Sequence, residues 1–157
     1  MEKRLILIRH AHRDTSDRSA DNGLSKKGWD QAQSLAAEFV SRFKDQKPVL
    51  LSSARIRCME TLEPISTLTG VKIKTDARLI EQEFEESFGD FEERAENFVK
   101  DWKKQGVSLL LICSHGDWLP VALKELTGSE IEMKKGAWAE VVCRDEHPKL
   151  ERLIQRF

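Results

Sequence analysis

Apolar positions along this chain follow two rhythms. Short unbroken apolar runs, the pattern of strands covered on both faces, occur at Leu5-Ile-Leu-Ile8, at Pro48-Val-Leu-Leu-Ser52 and within "VSLLLICSHGD" after Gly106. Between these runs apolar residues return every three or four positions, which predicts amphipathic helices. Ser25 reads as the N-cap of a first helix, with Trp29, Ala32, Leu35, Ala36, Phe39, Val40 and Phe43 on one face. Residues 55–69 predict a second helix stopped at Gly70. Residues 91–104 predict a third, with Phe91, Ala95, Phe98, Val99 and Trp102 inward, and Leu119 to Leu126 a fourth ending near Gly128. "VKIKTD" alternates and predicts a short edge strand. "AWAEVVCRD" and "LERLIQRF" predict two final strands joined through "EHPK". Residues 14–24 and the acidic segment 77–90 read as loops.

Strands alternating with helices predict an α/β fold: a three-layer sandwich with a mostly parallel central sheet and helices on both faces. The 157 residues suit one domain over 1–157, and no repeat or linker divides them. Ligands in such sheets bind beyond the carboxyl ends of the strands.

The chemistry gathers at those ends. The first strand ends in Arg9-His10-Ala11-His12-Arg13, the second in Ser52-Ser53-Ala54-Arg55-Ile56-Arg57, and the fourth in Ser114-His115-Gly116-Asp117. A cation at the end of a buried strand is costly without a partner. The strand ends carry no matching number of carboxylates, so the expected partner is a ligand anion. Phosphate fits, because guanidinium forks match its oxygens and the helices after the second and fourth strands would aim N–H groups at it. A neutral imidazole beside bound phosphate is a competent nucleophile, with the cations stabilising the transition state. A carboxylic acid would then protonate the leaving oxygen and activate water.

Composition narrows the setting. With 26 basic and 27 acidic side chains the formal charge is -1, so no general attraction to nucleic acid or membranes is expected. No apolar run is long enough for a membrane span or a secretory signal. Cys58, Cys113 and Cys143 are three, widely spaced and without a CxxC pair, which excludes a disulfide framework or zinc knuckle and suits a reducing cytoplasm. Oligomeric state is not legible.

The ordered motifs resemble the histidine phosphatase, or phosphoglycerate mutase-like, superfamily. Arg9-His10-Ala11 is similar to the family's Arg-His-Gly. "LSKKGWDQAQSLA" resembles its "LTxxGxxQA" stretch, "SSARIRCMET" its "SSPLxRAxQT", and "CSHGDWLPVALKELTG" its second-histidine motif. The resemblance runs from about residue 5 to residue 128. It implies His10 as nucleophile, a phosphate pocket of Arg9, Arg57 and His115, the fold already inferred, and no metal or other cofactor. The general acid falls on Glu81 in "LIE", with Glu83, Glu85 and Glu86 as further candidates. Small phosphohistidine phosphatases in the family lack an acid, and this chain resembles them in size. Ser16 stands where many relatives place a phosphate-contacting Asn, with Asp14 and Asp17 nearby. His12 and Arg13 lie outside the shared motif and face the substrate in one reading; Arg13 and Arg55 read more simply as surface cations. The capping insertions of mutases have no room here, which implies an open pocket for a phosphorylated small molecule or a phosphoprotein.

Two other readings compete. A metal-dependent hydrolase would draw its ligands from His10, His12, His115 and Asp117. A phosphate-binding module would keep the pocket without turnover. Trp118 and Trp138 read equally as core or pocket wall. His147, before Pro148, reads as an exposed turn residue.

Overall fold

A computed structural model describes residues 2–157. The elements run β1 (Lys3–Arg9), α1 (Lys26–Phe43), β2 (Val49–Ser52), α2 (Ile56–Thr69), β3 (Ile73–Thr75), a short 3-10 turn (Ala77–Leu79), α3 (Phe88–Lys104), β4 (Leu109–Ser114), α4 (Trp118–Thr127), β5 (Trp138–Arg144) and β6 (His147–Ile154). The six strands lie in the order β3-β2-β4-β1-β5-β6. The first four are mutually parallel, and β5 and β6 are added antiparallel. This is the α/β sandwich that the alternating pattern predicts.

Period-two alternation with a core on each face explains the unbroken apolar runs Leu5 to Ile8 of β1 and Leu109 to Cys113 of β4. Leu5 and Leu7 of β1 and Leu110 and Ile112 of β4 face a core closed by α3 and α4. Ile6, Ile8, Leu109, Leu111 and Cys113 face the opposite core, closed by α1 and α2. Trp118 and Trp138 are fully buried, one in each core. No helix among the described residues is long and apolar enough to cross a membrane.

Two boundaries and one buried position differ from expectation. Helix α3 starts at Phe88, because the Ser87 hydroxyl caps it by accepting from the Asp90 N–H. The final hairpin turns at Asp145 and Glu146, both at positive φ, so His147 and Pro148 are exposed or partly exposed residues of β6 rather than turn residues. Pro148 is tolerated because β6 is the sheet edge. Val40 is exposed, lying off the buried stripe of Ala32, Leu35, Ala36, Phe39 and Phe43.

Two buried charges tie layers together. Lys3 caps the end of α3, its ammonium donating to the carbonyls of Trp102, Lys103 and Gln105 at 2.7, 2.7 and 3.0 Å. Glu140 on β5 is wholly buried and accepts from Arg4 of β1, Arg42 of α1 and the Trp138 indole N–H. Burial raises its pKa, but these donors outweigh burial and hold the carboxylate ionised. Removing one member of a buried ionic cluster leaves its partners uncompensated. Glu140→Ala should therefore lower unfolding free energy by about 3 kcal/mol in urea denaturation, with Glu140→Gln losing less.

Candidate active site

Three strand ends meet at one rim because their backbones are stitched beyond the sheet. The His10 N–H donates to the Ser114 carbonyl at 3.1 Å, and the Ser53 N–H to the Cys113 carbonyl at 3.0 Å. A cavity of about 590 Å³ opens there, lined by Arg9, His10, Arg57, Glu81 and His115, with Gly116, Asp117 and Glu132 at its margin.

The segment after His10 is held by Thr61 of α2 and by residues of the "LSKKGWDQA" stretch. The Ala11 N–H donates to Thr61 Oγ1 at 2.9 Å, and the His12 N–H to Gln31 Oε1 at 2.8 Å. Ser25 caps α1 and its N–H returns to the His12 carbonyl at 3.0 Å. A Cβ at Gly28 would stand 2.0 Å from that carbonyl oxygen. Glycine there allows the first turn of α1 to lie against the loop leaving His10.

His10 is 6% exposed. Its Nδ1 lies 2.8 Å from the Ala11 carbonyl oxygen. A carbonyl only accepts, so Nδ1 carries the hydrogen and Nε2 keeps its lone pair. Burial, reinforced by the charges of His115, Arg57 and Arg9, lowers its pKa to about 3 despite the Ala11 bond. At neutral pH His10 is an uncharged base.

His115 is the opposite case. Its ring lies 5.5 Å from that of His10, roughly edge to face. Nδ1 is 3.0 Å from Glu81 Oε2, and Nε2 is 2.8 Å from Ser53 Oγ. Burial pushes its pKa down, but contacts with Cys58 and Glu81 outweigh burial and raise it to about 9. Glu81 is the cause that geometry supports most directly, because Cys58 Sγ is 3.6 Å from Nε2 while Ser53 Oγ is nearer.

Glu81 is gripped by cations. Its carboxylate takes Arg55 Nε at 2.5 Å and Arg57 Nη2 at 2.7 Å, as well as His115. Burial raises its pKa, but His115, Arg55 and Arg57 overcome this and bring it to about 2. The strand-end cations thus have an internal carboxylate, contrary to the expectation that only a ligand supplies one. Arg55 was readable only as a surface cation, and its pairing with Glu81 depends on the fold of the 77–87 segment. Arg9 Nε and Arg57 Nε are nevertheless buried without a hydrogen-bond partner among the described residues. Arg9 Nη1 donates to the Met133 carbonyl at 2.7 Å, and a Cβ on Gly116 would lie 2.6 Å from Arg9 Cζ.

Other expected residues are not brought together. Ser16 is exposed, its N–H held by Asp14 Oδ1 at 2.9 Å, and it does not line the cavity. Glu83 and Glu85 are exposed, and Glu86 is taken by Arg94. Asp21 accepts from the Ile56 N–H, so the N-terminus of α2 is already capped by a carboxylate instead of facing an anion directly. His12 lines a neighbouring cavity, bonded to Ser25 Oγ at 2.7 Å, apart from His10, His115 and Asp117. Among the described residues no three His, Cys, Asp or Glu side chains are gathered to hold a metal ion.

The sequence profile described as "Histidine phosphatase superfamily (branch 1)" matches residues 5–86, more than half of the chain. The chain belongs to the histidine phosphatase superfamily. This superfamily member is 27% identical over 168 residues to "Putative phosphoserine phosphatase 2" of Hydrogenobacter thermophilus, covering 83% of this chain and 81% of that protein. It is also 27% identical over 139 residues to an uncharacterized chloroplastic protein of Arabidopsis thaliana, spanning 85% of this chain and 63% of that one. Among solved structures, the protein histidine phosphatase SixA complexed with tungstate superposes with a TM-score of 0.77 at 18% identity, covering 97% of this chain and 96% of that one. A phosphoserine phosphatase variant of Entamoeba histolytica bound to phosphoserine gives 0.76 at 16% identity, with 96% of each chain covered. At these identities the superpositions establish the fold.

Phosphate affinity should fall above about pH 9 as His115 loses its proton, and in Glu81→Gln that limb should move to lower pH. Phosphate inhibition measured across pH checks both. The same raised pKa makes His115 stabilise the fold fully below its unfolded value near 6.5, with the contribution lost as pH rises through about 9. Gly116→Ala should displace the Arg9 guanidinium without unfolding the chain, raising KM for a phosphate ester about tenfold at unchanged Tm.

Proposed function

We propose that this superfamily member is a metal-independent phosphatase working through a phosphohistidine on His10. The observation that carries the reading is the fixed His10 tautomer: Nδ1–H donates to the Ala11 carbonyl, leaving Nε2 unprotonated among Arg9, Arg57 and His115. Nε2 attacks phosphorus in line. The N–P bond forms as the bond to the leaving group breaks, and the three cations stabilise the equatorial oxygens. Water then attacks the phosphohistidine, the N–P bond breaks, and phosphate leaves with His10 neutral again.

Glu81 serves in this scheme as general acid, then base. Held near pKa 2 by its cations, it is ionised at neutral pH. An entering phosphate takes Arg57 and His115 for itself and sets its own negative charge against the carboxylate. Both changes raise the Glu81 pKa, so the substrate prepares its own acid. A phosphohistidine substrate depends on this step less, because its leaving nitrogen takes up a proton readily. Phosphohistidine, on a protein or a small molecule, is therefore the favoured substrate over a simple phosphomonoester, and the three free buried cysteines suit the cytoplasm.

The test is release of inorganic phosphate from phosphohistidine and from an aryl phosphate in excess EDTA, with His10→Ala and Glu81→Gln alongside. Turnover should persist in EDTA and fall by about 10³-fold or more in His10→Ala. Glu81→Gln should depress the aryl ester more than phosphohistidine. EDTA-sensitive turnover, or activity surviving in His10→Ala, contradicts the mechanism.

A further inference from the structure

A second cavity of about 610 Å³ lies on the other side of Arg9 from His10, where the loop before β5, the first turns of α1 and the chain's end meet. Its side-chain charge is one-sided. Arg9, Lys27, Lys134, Lys135 and Arg156 line it with His12, and the one lining side-chain carboxylate among the described residues, Asp30, lies 3.6 Å from the Lys26 ammonium outside the cavity. Among the described residues Lys27, Lys134, Lys135 and Arg156 have no ion-pair partner. Burial and the surrounding cations push two of the lining groups, His12 and Lys135, toward their neutral forms. Burial, then Lys135 and Lys27, lower the His12 pKa. Burial, then Arg9, Arg18, Arg13 and Lys27, lower that of Lys135.

The cluster is built rather than scattered. The Gly136 N–H donates to the carbonyls of Arg9 and His10 at 3.1 and 3.2 Å, fixing the loop that carries Lys134 and Lys135 against the end of β1. The Lys134 N–H donates to Gln155 Oε1 at 2.8 Å, whose amide nitrogen returns 2.8 Å to the Glu132 carbonyl. Gln31 bridges the His12 N–H and, at 3.4 Å, the Lys135 carbonyl. Cations held together at a cost in repulsion, in a cavity of ligand size, mark a place for an anion. Arg9 belongs to this wall and to that of the His10 cavity.

We propose that this cavity is a second anion subsite, taking a further anionic group of the same phosphorylated substrate while its scissile phosphate lies at His10. This deepens the function proposed above and rests on it only for the choice of ligand. The preferred substrate is then at least bipolar in its anions: a transferable phosphoryl group at one end, and a carboxylate or second phosphate a few bonds away. Arg9 stands between the two and contacts both ends. A substrate with a neutral tail fills only the first site and gains nothing from the second.

Calorimetric binding of alkane-α,ω-diphosphonates, with three to six methylenes, tests this against the corresponding alkyl monophosphonates. At the length that spans Arg9, the diphosphonate should bind about tenfold tighter than its monophosphonate, because the second contact becomes intramolecular. That ratio should collapse towards one in the double variant Lys27→Gln, Lys135→Gln. It should persist in Lys26→Gln, which also removes a positive charge from α1 but does not line the cavity. An ω-carboxyalkylphosphonate series beside it reports which anion the site takes, and a gain from either supports it. No gain at any length, including no binding at all, or an equal loss in Lys26→Gln, overturns the subsite. Because binding rather than turnover is read, a catalytic failure leaves this measurement standing: an inactive protein that still prefers diphosphonates contradicts only the mechanism.

Discussion

Two imidazoles 5.5 Å apart are held in opposite protonation states, and the site depends on that opposition. His10 is surrounded by burial and positive charge and stays neutral. His115 is equally enclosed but touches Cys58 and Glu81, and these contacts reverse the outcome. A nucleophile needs the first condition and an anion pocket needs the second. Both are met by the same cluster, because Glu81 charges His115, and charged His115 in turn helps keep His10 uncharged. Arg57 joins the two halves, bonding Glu81 at 2.7 Å while its Nε has no hydrogen-bond partner among the described residues.

The fold supplies this cluster by making its strands end together. Four parallel strands bring β1, β2 and β4 to one rim, and backbone bonds from His10 and Ser53 carry the alignment past the sheet. Close approaches then set the side chains. Gly28 lets α1 press on the loop after His10, and Gly116 leaves room for the Arg9 guanidinium. The antiparallel pair β5 and β6 lies on the other side of β1. Through Glu140 it anchors β1 to α1, and the loop ahead of β5 reaches the rim with Met133 as the acceptor for Arg9.

Much of this was readable from residue order. The apolar runs of β1 and β4 are what strands covered on both faces require, and Ser25 and Gly70 marked helix ends by local chemistry. His10, Arg9, Arg57 and His115 stood out because each follows a strand, and strand ends converge in a parallel sheet. What resisted reading depends on distant contacts. The "LIE" form singled out Glu81 only by resemblance; residue chemistry alone leaves Glu83 and Glu85 equal to it, and the path of an irregular segment brings Glu81 to Arg55, Arg57 and His115. Ser16 occupied an expected position, but Asp14 holds its backbone in the exposed loop. Glu140 lies in an apolar strand, and its partners Arg4 and Arg42 stand 136 and 98 residues earlier in the sequence. The cations beyond Arg9, Lys27, Lys134, Lys135 and Arg156, come from three separated segments, and only folding makes them one wall.

The central claim is most directly tested by nitrogen-15 NMR of the two imidazoles, titrated from pH 4 to 10 in the intact protein, with His10→Ala and His115→Gln giving the assignments. The account predicts that His10 remains the neutral Nδ1–H tautomer over the whole range, while His115 is doubly protonated at neutral pH and loses its proton near 9. A His10 that titrates near the ordinary histidine value of about 6.5, or carries its hydrogen on Nε2, would contradict it.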